Sequence, residues 1–426
     1  MTAQREIIVQ KHSELIHDGL NVLPTLKHGI PGGLGNKRWT SELILATYEQ
    51  ARTSKPPNQL EYKVGKSGGG FDRLDFKKIK DGSRLGDQDY DLSIDLNRRN
   101  SGPKITIPIP IYGGGMSFGS VSLNFMLARA IAAERLGTFT STGEGGYPPP
   151  LMQYNDHVIT QVATGMFGVR EETIQAARIV EFKYAQGAKP GLGGHLLADK
   201  VTSEVASMRE SMPFTSLYSP FPFHSVYSVE DHKKHVDWIR AVNPNCLVSV
   251  KVSTPVDVDM VAIGSYYADA NIFHLDGGYG GTGAAPEIAK KNIAMPIEYA
   301  IPKVHRYLLA EGVRDKLTVM ASGGIRTAYD VAKAIALGAD GCVIGTAETV
   351  AVGCTHCGNC ESGRGCQVGI TTTDPELSLL IDPQWGAQRI VNLYTSWSQQ
   401  WKTILASFGL RSIKELRGRT DLLVYR

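Results

Sequence analysis

Three features of the sequence predict an α/β fold: a TIM (β/α)8 barrel with an irregular N-terminal extension and a C-terminal appendage that holds a cysteine-rich stretch and helices. From about Lys104, short runs rich in apolar or β-branched residues alternate with helix-like segments. Each run ends in glycine or a polar turn, as strands feeding βα loops do. Eight such units fill roughly 250 residues, which suits a closed barrel better than an open sheet.

The elements follow in order. Residues 1–100 are polar and punctuated by Gly and Pro (GIPGGLGNKR, SKPPNQ, KSGGGFDR), with only short apolar runs, and read as the extension. Residues 101–350 carry the eight strand candidates ITIPIPIYGGGMS, TFTSTGEGG, VITQVATG, FKYAQGAKPG, CLVSVKVS, NIFHLDGG, LTVMASGG and GCVIGTA. Segments such as VSLNFMLARAIAAERLG and TAYDVAKAIALGAD supply helices between them. Residues 351–426 hold the cysteine stretch, then TTTDPELSLL and SWSQQWKTILASFGLRSIKELRG, which read as helices packed against the barrel.

The chain has 426 residues, 42% of them hydrophobic and 20% charged, which is ordinary for a soluble globular protein. Its net charge of +3 comes from scattered basic residues, so no nucleic-acid footprint is expected. The opening MTAQREIIVQKHSELIHDGL lacks an apolar signal core, and no run of about eighteen uncharged apolar residues follows. A cytoplasmic protein without a membrane span is the expectation.

Barrel chemistry sits at the C-terminal ends of the strands, with phosphate commonly held by the loops after strands 7 and 8. Here those loops are SGGIRT (Ser322, Gly323, Gly324) and IGTA (Gly345, Thr346). Glycines there let backbone N–H groups approach phosphate oxygens; ordinary tight βα turns would look the same one at a time, less so in pairs. A flavin also needs polar groups and a cation near its ring. Lys251, late in the fifth strand, suits the cation, while Gly115, Met116 and Ser117 after the first strand and Gln161 in the third could line the ring.

Several stretches resemble the FMN-binding synthase domain of glutamate synthases: GGMSFGSVS (114–122), STGEGG (141–146), QVATGMFGV (161–169), AQGAKPGLGGHL (185–196), DGGYGGTGAAP (276–286), SGGIRT and CQVGITTTDPEL. That resemblance implies an FMN barrel that reduces 2-iminoglutarate, formed from 2-oxoglutarate and ammonia, to L-glutamate. It adds Thr142 to the expected flavin contacts. It also implies that Gln186, Lys189 and Arg209 hold the substrate carboxylates, a chemistry that suits a guanidinium fork and an ammonium. His195 stands where bacterial members commonly carry Gln and could bind substrate or move a proton. Glu144 could handle the imine proton, or could simply be a structural carboxylate.

Four of the six cysteines fall between Cys354 and Cys366. Their C-x2-C-x2-C-x5-C spacing leaves zinc open but favours iron–sulfur ligation, because zinc sites usually join two separated pairs. The resemblance implies a [3Fe–4S] cluster on Cys354, Cys360 and Cys366. The sequence departs from the family pattern in a longer second gap, in Gln367 where proline is usual, and in Cys357, a fourth thiol that would permit [4Fe–4S]. Cys246 and Cys342 lie in apolar runs and read as core.

No stretch resembles the amidotransferase or β-helical domains of long glutamate synthases. The resemblance is therefore nearest to the stand-alone C subunit of N-methylglutamate synthase, which works with amidotransferase-like and β-helix-like subunits. It implies conversion of L-glutamate and methylamine to N-methyl-L-glutamate and ammonia, with an ammonia-, glutamine- or ferredoxin-dependent glutamate synthase as the alternative. Other FMN barrels fit less well: an IMP dehydrogenase needs a loop cysteine, yet Cys342 lies within a strand, and a 2-hydroxyacid oxidase pairs histidine with arginine, yet no arginine follows His274 in its loop. A purely electron-transferring or scaffold subunit is a further reading.

Overall fold

The computed structural model describes residues 35–36, 38–57, 70–77, 89–220, 222–281, 285 and 287–425. Residues 1–34, 37, 58–69 and 78–88 of the expected extension and 282–284 and 286 of DGGYGGTGAAP lie outside the described residues.

Seven of the eight candidates contain a strand of one parallel barrel. The fourth, FKYAQGAKPG, reaches its strand only at Phe182 and Lys183, because the strand starts earlier, at Ile179, with Glu181 buried inside it, and AQGAKPG is the loop that follows. In chain order the strands are β1 (Ile111–Gly113), β2 (Thr140–Ser141), β3 (Val158–Ala163), β4 (Ile179–Lys183), β5 (Leu247–Val252), β6 (Ile272–Asp276), β7 (Thr318–Ser322) and β8 (Gly341–Ile344). Each pairs with its sequence neighbour, and β8 returns to pair with β1 through Cys342↔Ile111 and Ile344↔Gly113. The last gap, between β1 and β2, is bridged by Gly113 N–H donating to Phe139 O at 2.8 Å and by a parallel bridge between Gly115 and Ser141. A ring of strands leaves no edge, and helices cover the outer face, so most strand residues are buried on both sides; this explains the continuous Val/Ile runs.

Helix boundaries follow local chemistry. Ser122 caps Leu123–Leu136 by accepting from Phe125 N–H, and Gly137 ends it at φ +65°. Asp382 accepts from Trp385 N–H at 2.7 Å to start Pro383–Ser407, with proline in the first turn. That long helix packs between Leu123–Leu136 and Ala328–Leu337, the helices that follow β1 and β7. It thus fills the place of the barrel's eighth helix. Trp397 and Trp401 are buried in the main core, and Trp401 Nε1–H donates to Ala328 O at 2.8 Å. The cysteine stretch is the loop between β8 and this helix.

Beneath the barrel, Asp340 just before β8 meets Arg314 (2.9 Å), Arg98 (2.9 Å) and Arg417 (3.1 Å). Burial works to raise its carboxyl, but the three guanidiniums and the Val319 N–H outweigh that and hold it at about 2. Arg98 from before β1 and Arg417 from the C-terminal tail are thereby tied to the closed end.

The described part of the N-terminal region also has a place. Thr40 caps the helix Ser41–Thr53, which packs on Pro383–Ser407. Gly35 N–H donates to Thr355 O at 3.0 Å, Tyr48 Oη–H to Cys354 O at 3.1 Å, and Trp39 stacks on His356. Gly35, Trp39 and Tyr48 therefore lie against the cysteine loop.

Candidate active site

Three strand interiors carry charge, and these charges balance one another. Glu181 on β4 accepts from Gln161 Nε2 on β3 (2.7 Å), Ser249 Oγ on β5 (2.8 Å) and His274 Nδ1 on β6 (2.9 Å). His274 Nε2 meets Ser322 Oγ on β7 at 2.8 Å, and Ser322 donates to Asp276 Oδ1 at 2.6 Å. Asp276 Oδ2 accepts from Gly187 N–H at 2.9 Å and pairs with Lys251 at 3.4 Å. Burial opposes the charge on Glu181, yet His274, Lys251 and Gln161 outweigh it and hold the carboxyl at about 2. The same balance lowers Asp276 and raises Lys251, each by the charge of the other.

This network places Gln161, Lys251 and Ser322 at one end of the barrel. It also commits the Ser322 hydroxyl to His274 and Asp276, leaving its loop to offer backbone. Thr142 is likewise turned inward, donating to Gly143 O (3.2 Å) and Thr160 Oγ1 (3.3 Å).

Above the network, backbone approaches backbone. A Cβ on Gly187 or Gly323 would overlap Gly277 O, and Gly323 and Gly324 sit at φ +91° and +88°, where other residues are strained. A Cβ on Gly115 would press on Gln161 Nε2 at 2.7 Å, and one on Gly281 would overlap Thr346 Oγ1. Met116 borders Gly345, with its Cε 3.5 Å from where a Gly345 Cβ would stand. Gly115, Met116, Gly323, Gly324, Gly345 and Thr346 thus frame one glycine-lined mouth.

Beside that mouth stands a cationic set. Arg209 ends the helix Ser203–Arg209, and its Nη2 donates to Ser117 Oγ and Phe118 O, both at 2.9 Å, while its buried Nε has no partner. Burial pushes its guanidinium down to about 10. Lys189 Nζ lies 2.9 Å from His195 Nδ1, and burial, joined by the charge of Lys183, pushes its ammonium down to about 8. With Nδ1 accepting from Lys189, the neutral His195 ring carries its proton on Nε2, which faces Glu361 Oε1 at 4.0 Å. Burial and then Lys189 lower His195 below its ordinary value.

Glu144 pairs with Lys183 at 3.1 Å. Burial would raise it, but Lys183, Arg209 and Lys189 prevail, so it sits below the usual carboxylate range and is ionised at neutral pH. In that form it can orient or accept a proton. Gly194 permits this packing, since a Cβ there would overlap Glu144 Oε1. Gln186 is half-buried in the loop between Lys183 and Lys189.

Sequence reasoning missed Glu181, Lys183, His274 as a network member, Asp276 and Gly194. Charges inside IVEFKY and IFHLD, otherwise apolar strands, were the available signal.

The four clustered cysteines differ in setting. Cys366 is buried, Cys354 and Cys360 are partly so, and Cys357 is exposed. Burial pushes the Cys354 thiol up to about 12, reinforced by Cys360 and Cys366. Among the described residues, no three His, Cys, Asp or Glu gather closely enough to grip a single ion. A multi-iron cluster spreads its thiolates over several metals, so its demand on spacing differs from that of zinc. Two observations suit an anionic group here: the buried Thr371 hydroxyl turns toward the Cys360 sulfur, and the buried Lys200 ammonium adjoins Cys360 and Cys366.

The profile of the conserved region in glutamate synthase matches residues 66–411. The chain belongs to the glutamate synthase family. The archaeal glutamate synthase (NADPH) of Methanocaldococcus jannaschii is 41% identical over 370 residues, covering 87% of this chain and 69% of that protein. The archaeal-type glutamate synthase (NADPH) of Thermotoga neapolitana is 42% identical over 322 residues, 75% of this chain and 63% of its own length. The glutamate synthase (NADPH) large chain of Azospirillum brasilense is 36% identical over 317 residues, 72% of this chain and 21% of that one. The chain thus spans about two thirds of the archaeal-type relatives it matches.

Solved structures share the fold at low identity. A flavocytochrome b2 variant with pyruvate bound has a TM-score of 0.53 at 16% identity, covering 97% of this chain and 91% of that one. Mandelate oxidase with (S)-4-hydroxymandelic acid has a TM-score of 0.52 at 14% identity, covering 99% and 98%. This glutamate synthase family member is an enzyme that shares the barrel fold of those structures, and no helix among its described residues is long and apolar enough to cross a membrane.

Proposed function

We propose that the protein binds FMN at the glycine-lined mouth and reduces 2-iminoglutarate to L-glutamate. The observation that carries this reading is the buried, half-satisfied cationic set of Arg209, bonded to Ser117, and Lys189, bonded to His195, which suits a dicarboxylate. Gly323, Gly324, Gly345 and Thr346, with the Ser322 backbone, would hold the FMN phosphate. Gly115, Met116, Ser117, Thr142, Gln161 and Lys251 would line its ring. Bound there, FMN would supply the two-electron reducing chemistry.

The chain's own groups divide the remaining work. Arg209 and Lys189 would bind the carboxylates of 2-oxoglutarate, with Gln186 and the His195 Nε2–H as further donors. Glu144, kept ionised by Lys183, would steer the imine proton by accepting a hydrogen bond. Cys354, Cys360 and Cys366 would hold an iron–sulfur cluster, with Cys357 as a fourth ligand if it is [4Fe–4S]. Amidotransferase-like and β-helix-like partner subunits in a cytoplasmic hetero-oligomer would complete the assembly and deliver ammonia.

A second reading replaces ammonia by methylamine and yields N-methyl-L-glutamate. Its support is the cysteine segment NCESGRGC, which is similar to that of the N-methylglutamate synthase branch and whose Glu361 lies 4.0 Å from His195. The test is mass-spectrometric product analysis of flavin-loaded protein. We expect L-glutamate from 2-oxoglutarate, ammonium and an electron donor. N-methyl-L-glutamate from L-glutamate and methylamine without added reductant would decide for the second reading, and neither product would refute both.

A further inference from the structure

Lys200 is the most buried of the described lysines, with 2% of its surface exposed. It closes the short turn Ala198–Lys200 after the strand His195–Leu196. Its Nζ donates to Cys360 O at 2.8 Å and to Ser120 O at 3.3 Å. Among the described residues, no carboxylate lies within ion-pair distance of it. The neighbouring Asp199 accepts instead from Gly363 N–H at 2.8 Å.

An ammonium removed from water without a counter-charge is costly. Lys251, also buried, has Asp276. Around Lys200 the groups that could take up negative charge are the thiols of Cys360 and Cys366, with the Asp199 carboxylate acting less strongly from beyond ion-pair distance. Free thiols are neutral, whereas thiolates bound to iron are anionic.

The other contact of Lys200 leads toward the active site. Ser120 Oγ donates to Ser117 O at 2.7 Å and lies 3.0 Å from Ser117 Oγ, which accepts from Arg209. Lys200 therefore ties the cysteine loop to the loop that follows β1.

We propose that Lys200 is a positioning residue for the iron–sulfur cluster: its ammonium, anchored on the carbonyls of Cys360 and Ser120, supplies the missing counter-charge and raises the cluster's reduction potential. This rests on the reading of Cys354, Cys360 and Cys366 as cluster ligands. The sign follows from charge. Reduction adds an electron to an already anionic group, and a cation in a low-dielectric setting favours that form. Removing the cation makes the cluster harder to reduce.

The test is a potentiometric titration of the full chain after anaerobic loading with iron and sulfide, followed by electron paramagnetic resonance and by iron content. Lys200→Met is expected to keep its iron and shift the cluster midpoint to more negative potential. Lys200→Arg, which keeps the charge, should stay near the parent, as should the exposed-site control Lys402→Met. If Lys200→Met loses iron, Lys200→Gln carries the test, because it keeps a donor for the two carbonyls without the charge. Iron-loaded Lys200→Met or Lys200→Gln with an unmoved midpoint overturns the inference alone. A parent protein that takes up no cluster overturns the ligand reading and the inference with it.

Discussion

Two groups of buried charge lie close together in this protein and behave differently. Inside the barrel, Glu181, His274, Ser322, Asp276 and Lys251 satisfy one another, and each carboxylate has a cation or a ring of donors. At the mouth and toward the cysteine loop, Arg209 keeps an unpaired Nε, Lys189 faces a histidine, and Lys200 meets only carbonyls. A closed network stabilises the fold without help. Leftover positive charge that has been taken out of water marks where an anion binds.

The largest expected effect comes from opening the closed group. Glu181→Ala should lower folding stability by about 3–5 kcal/mol, as removing one partner of a buried charged pair does, measured by chemical denaturation. Arg209→Ala should do the reverse, leaving stability nearly unchanged while kcat/KM for 2-oxoglutarate falls roughly 30- to 1000-fold, or about 2–4 kcal/mol. Equal losses of stability in the two variants would erase the contrast.

Gly194→Ala should act between these, because its methyl group must displace Glu144 from Lys183. Overpacking of this kind costs about 1–3 kcal/mol, to be read in the thermal midpoint together with turnover.

The pH responses should also differ. Glu181 sits at about 2 when folded, below its unfolded value near 4.3. Its contribution to stability is therefore complete above that unfolded value and is lost as pH falls toward about 2. Glu181→Gln should flatten the acid limb of stability against pH. Lys189 sits at about 8, so 2-oxoglutarate binding should weaken as pH rises through that value. Lys189→Arg should remove the inflection, as followed by titration calorimetry; an inflection that survives would assign it to another group.

Much of the fold was legible because strand and helix periods are local properties. Seven of the eight runs from ITIPIPIYGGGMS to GCVIGTA contain their barrel strands, since each is a short apolar run closed by glycine, whereas FKYAQGAKPG catches only the end of Ile179–Lys183, whose buried Glu181 breaks the apolar pattern. The glycine turn SGGIRT was legible for a related reason, as positive φ at Gly323 and Gly324 demands the residue that lacks a Cβ. Lys183, Asp276 and Glu181 were harder to find. Their partners lie on other strands, so nothing in their own neighbourhood tells a buried, paired charge from an exposed one. The helix Pro383–Ser407 reads as helical from its pattern, but its place between the helices following β7 and β1 depends on contacts with residues some 50 to 260 positions earlier.

By itself, then, the sequence determined the eightfold βα order, the glycine turns after β7 and β8, and the motifs shared with glutamate synthases. Tertiary structure alone decided which charges meet: Lys183 with Glu144, Lys251 with Asp276, Lys200 with the backbone of Cys360 and Ser120. The division has one physical cause. Backbone conformation is set by sterics and hydrogen bonding over a few residues, whereas the balance of a buried charge depends on every group the fold brings within a few ångströms.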